Sequence, residues 1–458
     1  VNPSEVNKTD ANVRKLATDI LAKVDVRKAY ADILLDHVLD AFPLSRRDRA
    51  LLTELTYGTL RWRGRIDAQL KPLLRRGLDD AHPFIRNLLR ITLYQIDFLD
   101  RIPDYAAVNA AVELAKRHNG GQAARFVNAI LRCYLREKAS KPPGGDWTSA
   151  GVSELSAYWS HPQWLVQQWR GYLGAEELSA LLEANNQEAT LVLRANSLRT
   201  TREDLIGLLR AEGAAAKATP WSPQGIAIGA SCAVDQLPGF QEGLFQVQGE
   251  ASQLVGYLVA PQAGERILDV CAAPGGKSTH LAELTQDRGE IVAADISQAG
   301  LRKLQQSAKR LGLHSIRTLV ADVSKATAPF GIAYDRILVD APCSGLGTLR
   351  SHPEIKWNRA QKDILRLSRL QQTILTRSAA YLRPGGVLVY STCTLTAEEN
   401  EQVVQQFLKN CDRFILEDAA SHLPDAAKDL VRDGYFTAWP HRHGTDGFFA
   451  ARLKRVDA

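Results

Sequence analysis

Apolar residues in the first third of the chain recur at helical spacing. Val13, Leu16, Ala17, Ile20, Leu21 and Val24 fall on one face of a helix. Ser45 followed by Asp48 resembles a capping box ahead of Leu51 and Leu52. Further stripes run through Ile66, Leu70, Leu73 and Leu74, through Ile85, Leu88, Leu89, Leu93 and Ile96, and through Phe126, Val127, Ile130, Leu131 and Tyr134. Arginines fill the spaces between them: Arg46, Arg47 and Arg49; Arg61, Arg63 and Arg65; Arg75 and Arg76. The pattern predicts a helical bundle with these arginines on its outside. Lys141-Pro142-Pro143-Gly144-Gly145 breaks every periodicity and reads as a linker.

A short aromatic stretch with Tyr158, Trp159, Trp164 and Trp169 follows. Leu191 to Leu198 predicts a strand, Thr200 with Glu203 caps a helix through Leu209, Gly213 stops it, and Gly225 to Gly229 predicts another strand. From about Phe240 the rhythm changes. Strand-like runs at Arg266–Val270, Ile291–Ala294, Thr318–Ala321, Arg336–Val339 and Val387–Tyr390 alternate with segments of helix length, such as Leu301–Leu311 and Ile364–Leu382. That alternation predicts a doubly wound, mainly parallel α/β sheet. The expected organisation is multidomain: an all-α bundle over 1–141, a small α/β connector over 150–238, and an α/β Rossmann-like domain over 240–458.

Composition changes this picture in two ways. With 458 residues, 45% hydrophobic and 24% charged, the chain is that of an ordinary globular protein, and no apolar run is long enough to span a membrane. Val1 to Asn12 is polar and lacks a signal-peptide core, and six cysteines without disulfide-like spacing fit a reducing compartment, so a cytoplasmic protein is expected. Methionine is absent. The net charge of +6 is uneven: residues 1–141 carry an excess of eight positive charges, and the remainder is slightly acidic. A polyanionic partner for the first third is the functional reading; a solvated helical surface is the plain one.

Chemistry concentrates where the strands of the predicted sheet end, the edge at which such folds bind ligands. Cys271, Ala272, Ala273, Pro274, Gly275, Gly276 and Lys277 follow the first strand; Asp295, Asp322 and Asp340 end the next three; Ser391-Thr392-Cys393 ends the fifth. One acid at a strand end is often a helix cap, but three in succession beside a glycine loop suggest a ligand. A phosphate-cradling P-loop is disfavoured, because Cys271 stands where its first glycine belongs and Pro274 removes a backbone N–H. Asp295 suits a ribose diol, whose two hydroxyls it can accept. Cys343 and Cys393 follow adjacent strands and reach one rim. No partner stands at metal-ligand spacing, so no metal is expected, and there is no Cys-x-x-Cys redox motif.

The segments Cys271–Lys277, Asp340-Ala-Pro-Cys343-Ser-Gly345 and Ser391-Thr-Cys393 resemble the signature of RNA cytosine-C5 methyltransferases that use S-adenosylmethionine. Leu193-Arg194-Ala195-Asn196, His352-Pro-Glu-Ile-Lys356-Trp357 and Asp446-Gly-Phe-Phe449 are similar to further segments of that family. Residues 1–140 look like the NusB-like domain carried by its 16S ribosomal RNA branch. The resemblance implies a class I methyltransferase domain, a 16S ribosomal RNA substrate, a monomer and no membrane partner. It implies Cys393 as nucleophile, Cys343 as the residue that helps remove the C5 proton and release product, and Asp340 on the N3 or N4 edge of cytosine. It places the donor over Cys271–Lys277, with Asp295 on the ribose, Asp322 near the adenine and Asp340 adjoining. Such chemistry needs a soft nucleophile at C6 to activate C5, and a thiolate can both add and later leave. Two rivals stand beside it. One is an RNA-binding factor with a non-catalytic methyltransferase-like domain. The other is an amino-group methyltransferase, which wants Asn/Asp-Pro-Pro-Tyr/Phe where this chain has Asp340-Ala-Pro-Cys343.

Overall fold

The computed structural model describes residues 12–138, 150–229, 234–325, 330–331 and 333–456. The expected linker at 141–145 lies outside them. The chain divides into two compact units, 1–187 with 349–359, and 188–348 with 360–458.

The first unit is helical: α1 (Val13–Arg27), α2 (Ala31–Ala41), α3 (Arg46–Leu70), α4 (Pro83–Phe98), α5 (Asp104–Lys138, broken at Asn119 and Gly120), α6 (Val152–Tyr158), α7 (Gln163–Arg170) and α8 (Ala175–Ala184). Asn12 caps α1 by accepting from Arg14 N and Lys15 N, and Ser45 caps α3 by accepting from Asp48 N at 3.2 Å. The apolar stripes meet in one core that includes Ile20, Leu21, Leu55, Leu89, Leu93, Val127 and Leu131.

The arginines do not all lie outside. Arg46, Arg47, Arg75 and Arg76 are exposed, whereas Arg61 is buried and donates to Arg350 O at 3.2 Å. Arg63 pairs with Asp25 at 2.8 Å, and Arg65 lies over the rings of Trp62, Phe98 and Tyr158. Asp25 also binds Arg90 at 2.7 Å, and Arg90 makes a two-pronged contact with Asp67, both bonds 2.7 Å. Periodicity marks these arginines as non-apolar; it does not show that carboxylates wait inside.

Segment 349–359, predicted as part of the sheet domain, belongs to this helical unit. Lys356 is fully buried and donates to Arg61 O, Ser160 O and Asn186 Oδ1 at 2.8–3.0 Å, one acceptor for each N–H. Burial, then the charge of Arg61, holds its ammonium well below the usual lysine range. Trp357 Nε1 donates to Leu60 O at 2.8 Å. Glu354 accepts from Ala31 N and so caps α2, which has no side-chain cap within its own sequence. Glu354, His352 and Asp32 have ligand atoms within 4.8 Å of one another.

The second unit begins with a four-stranded antiparallel sheet in the order β2-β3-β1-β4, made of β1 (Leu191–Ala195), β2 (Ala216–Ala218), β3 (Gly225–Ile228) and β4 (Phe245–Val247). Helix α9 (Arg202–Ala211) packs on it, capped by Thr201, one residue beyond the Thr200 expected. After α10 (Glu250–Val259) come β5 (Arg266–Val270), α11 (Gly276–Leu284), β6 (Glu290–Asp295), α12 (Gln298–Leu311), β7 (Ile316–Val320), β8 (Tyr334–Asp340) and β9 (Leu382–Thr392). These five strands run parallel in the order β7-β6-β5-β8-β9. The sheet is less parallel than predicted: β10 (Phe414–Glu417), β11 (Val431–Arg432), β12 (Tyr435–Ala438) and β13 (Phe448–Arg455) extend it antiparallel past β9. Alternate residues serve two cores. Ile267, Ile291, Leu338 and Val389 face one, while Leu268, Val292, Ile337 and Leu388 face the other, which is why the central strands read as unbroken apolar runs.

Two predictions follow from the arginines. Arg90→Ala strands Asp25 without its most buried partner and should cost the unit about 3–5 kcal/mol, read by denaturant melting; a loss below about 1 kcal/mol would mean that Arg63 and Arg86, the latter 3.4 Å from Asp25, suffice. Changing Arg46, Arg47, Arg75 and Arg76 together to Gln should leave the melting temperature unaltered. It should lower the log–log salt slope of RNA binding by roughly 3, at about 0.7–0.9 per lost phosphate contact. An unchanged slope would make them ordinary solvated surface.

Candidate functional site

The parallel register brings every predicted strand-end residue to one rim. Val270 pairs with Ala294 and with Val339, Asp295 with Val320, and Asp340 with Ser391. Strand order reverses at β5, so the loops after β5 and β8 flank the crevice where such sheets bind ligands.

The loop after β5 turns sharply. Cys271 has φ +62° and Gly275 φ +105°, where a Cβ would collide with Leu304. Burial pushes the Cys271 thiol far up, and the side chain packs against the apolar core. Asp295 holds the loop by accepting from Ala273 N at 3.0 Å and starts the next turn by accepting from Ser297 N at 2.7 Å. Each of its oxygens keeps a second lone pair for a diol. Asp322 is turned toward its own loop: its Oδ1 accepts from Ser324 Oγ and N, and the Ser324 hydroxyl holds the carboxyl below its usual range. Lys277 donates to Asp340 Oδ2 at 2.6 Å and lies 4.9 Å above the Phe448 ring. Ser391 Oγ donates to the other oxygen of Asp340 at 2.9 Å.

Cys343 and Cys393 are partly buried, with Sγ atoms 3.3 Å apart. The surroundings of the two thiols are unequal. The contact with Cys343, supported by Lys277, pulls Cys393 down, against burial and the charges of Asp340 and Asp446. Cys343 is held well above its usual range by the Cys393 contact, by burial and by Glu399. The arrangement favours the thiolate form at Cys393 over that at Cys343.

The comparisons with known proteins agree along the chain. Residues 256–454 match the family model described as 16S rRNA methyltransferase RsmB/F, 11–136 match the NusB family, and 161–235 match the RsmF/B-like ferredoxin-like domain. The "Probable ribosomal RNA small subunit methyltransferase B" of Bacillus subtilis (strain 168) is 36% identical, with 97% of this chain and 99% of the relative covered. The Synechocystis protein of the same description is 37% identical over 97% and 100%. This chain belongs to the RsmB/F family of 16S rRNA methyltransferases. Among solved structures, PH0851 is similar at 27% identity with a TM-score of 0.82, covering 97% of this chain and 99% of that one. NSun6 from Pyrococcus horikoshii with SFG gives 27% and 0.59 over 65% and 99%.

Within this family fold, the segments 193–196 and 446–449 brace the rim. Arg194 on β1 is fully buried, meets both Glu283 oxygens at 2.7 and 3.0 Å, donates to Gly276 O at 2.8 Å and also binds Gln248. It ties the small sheet to the start of α11. Asn196 donates to Gly243 O and Leu311 O. Gly347 and Gly447 touch back to back, where a Cβ on either would overlap the other's backbone, and Gly347 N donates to Cys393 O at 3.0 Å.

Sequence reasoning missed Asp269. A lone acid within Arg266–Val270 was its only signal. It is fully buried on β5 beneath the loop, accepts from Ser278 Oγ at 2.5 Å, and its Oδ1 has no hydrogen-bond partner. Burial pushes its carboxyl up to about 7, against the Ser278 bond. The native state therefore keeps a proton that the unfolded chain has lost, and stability falls as pH rises from about 4 to 7. Asp269→Asn removes that loss. Its stability relative to the parent should improve by about 2–3 kcal/mol between pH 5 and pH 8; parallel pH–stability curves would refute the raised value.

Proposed function

We propose that the chain transfers a methyl group from S-adenosylmethionine to C5 of a cytosine in 16S ribosomal RNA, in the cytoplasm and as a monomer, through a covalent bond between Cys393 and C6. The observation that carries this reading is the thiol pair, 3.3 Å apart on the rim shared with Lys277 and Asp340. The bundle at 1–141 supplies RNA binding, 150–238 is the connector, and 240–458 holds the chemistry. The target base leaves its stack to reach the rim.

The residues present suit the donor. Carboxylates stand at three successive strand ends beside a loop pinned by Asp295, and a sulfonium cation is favoured among them. Cys271–Lys277 would line the donor, with Asp295 at the ribose, Asp322 at the adenine and Asp340 adjoining. The donor supplies an electrophilic methyl group. Cys393 adds to C6, and the C5–C6 electron pair makes C5 nucleophilic. Asp340, an acceptor at both oxygens, accepts a hydrogen bond from the N3 or N4 edge of the cytosine, while Lys277 steadies its charge. Cys343 reaches the same ring. After methyl transfer Cys343, having given its own proton to solvent, takes the C5 proton as a thiolate; the C5–H electron pair re-forms the C5–C6 double bond, and the Cys393–C6 bond breaks to return Cys393 as a thiolate.

The test separates the two cysteines by what accumulates. Cys343→Ala should attack and methylate once but stall before release, giving a denaturation-resistant protein–RNA adduct on gels. Cys393→Ala should give no adduct and no product. Loss of the Cys343 donor raises the Cys393 thiol, so adduct formation in Cys343→Ala should be slower at pH 7 than at pH 9. An adduct from Cys393→Ala alone would reverse the roles. No methyl transfer by the parent, with RNA binding intact, would favour the non-catalytic RNA-binding factor.

A further inference from the structure

The two cysteine loops are joined from beneath by one buried carboxylate, Glu399, to which neither the motif reading nor the family comparison assigns a part. Glu399 is fully buried in the turn before the helix Glu401–Asn410. Its Oε1 accepts from Ser344 N at 2.8 Å and Gln371 Nε2 at 3.0 Å, and its Oε2 from Ser344 Oγ at 2.6 Å and Thr396 Oγ1 at 2.8 Å. Ser344 follows Cys343 directly. Thr394, which follows Cys393, shares a hydrogen bond with Ser344 Oγ at 2.7 Å. Gln371 also donates to Pro342 O at 3.0 Å, gripping the residue before Cys343. The adjoining Asn400 accepts from Thr392 Oγ1 at 2.6 Å and donates to Thr394 O at 3.1 Å, so it brackets Cys393.

All four of these donors to Glu399 are neutral. A buried carboxylate ringed by donors, with none of those bonds coming from a cation, is costly to keep for packing alone. Its placement is also one-sided. Cys343 is faced by Glu399, the Tyr390 phenol and Cys393. Cys393 is faced by Lys277, Asp340, Asp446 and Cys343. On the Cys343 side the Glu399 carboxylate acts with no cation among its hydrogen-bond donors, whereas on the Cys393 side Lys277 offsets the carboxylates of Asp340 and Asp446.

We propose that Glu399 is a positioning residue that decides which thiol ionises: it locks the two cysteine loops at their 3.3 Å spacing and places a negative charge on the Cys343 side, leaving Cys393 as the thiolate. The inference rests on the reading of Cys393 as nucleophile, but its test does not need turnover. In the full-length protein, limiting iodoacetamide across pH 6–10, followed by peptide mass spectrometry, gives the initial alkylation rates of both thiols. The parent should label Cys393 at least about tenfold faster than Cys343, and Glu399→Gln should cut that preference about tenfold, the equivalent of one pKa unit. Glu399→Asp keeps the charge and should hold the preference within about twofold of the parent, while kcat falls because the loops are held less firmly.

An unchanged preference in a Glu399→Gln protein with a native melting curve would overturn the proposal, leaving Glu399 a structural acceptor. If Glu399→Gln does not fold, Glu399→Asp decides: a retained preference with lowered kcat supports the proposal, and a collapsed preference overturns it. Failure of the nucleophile assignment would show instead in the adduct gels, with the labelling preference untouched.

Discussion

The ion pair between Lys277 and Asp340 is the contact on which the rim depends. At 2.6 Å it joins the first turn of α11, which carries the loop after β5, to the end of β8, which leads into the Cys343 loop. Its lysine is the cation that favours a thiolate at Cys393, and its carboxylate is the acceptor that would face a cytosine edge. Removing either partner would leave the other charge largely buried and unpaired, at a cost well above that of an exposed pair. The donor loop and the two thiols thus share one electrostatic element.

Two sheets hold that element in place. The parallel strands set the heights of Asp295, Asp340 and Ser391 by register, and a one-residue slip would turn each side chain to the opposite face. The small antiparallel sheet contributes through Arg194, whose guanidinium grips Glu283 and Gly276 O and so fixes the entry of α11. Arg194 is fully buried, and its hydrogen-bonding capacity is taken up by three residues of α11 (Gly276, Thr279 and Glu283) and by Gln248, which makes the start of α11 hard to shift.

Much of this was legible beforehand. Arg266–Val270 matched its strand residue for residue, because a doubly buried strand is a short apolar run between turn signals. The rim residues were legible because strand ends are where such sheets bind ligands. What escaped was polar chemistry inside the protein. Arg61, Arg63 and Lys356 look like surface in a hydropathy pattern, yet each meets an acceptor brought from another part of the chain. Segment 349–359 went to the wrong unit for the same reason: His352-Pro-Glu-Ile-Lys356-Trp357 is tied to helical residues hundreds of positions away. Asp269 and Glu399 stood in plain view as single acids, and only burial distinguishes them. The roles assigned to the cysteines came from family resemblance; spacing alone left them open.

The unlike environments of the two thiols answer a chemical requirement. A nucleophile that must add to C6 and later depart has to be anionic at the start and a tolerable leaving group at the end, which calls for a lowered pKa. A group that must take a proton from C5 has to be deprotonated at that step and basic enough to hold the proton afterwards, which calls for a higher one. A single cysteine cannot satisfy both conditions at one pH. Two cysteines in contact can, provided that something breaks their symmetry, since each thiol's shift comes first from the other. Here the asymmetry is built in on both sides: a lysine at Cys393, and a carboxylate without a cationic partner among its hydrogen-bond donors beneath Cys343. The fold supplies this difference before any base arrives, so no reorganisation is left for the reacting complex to perform.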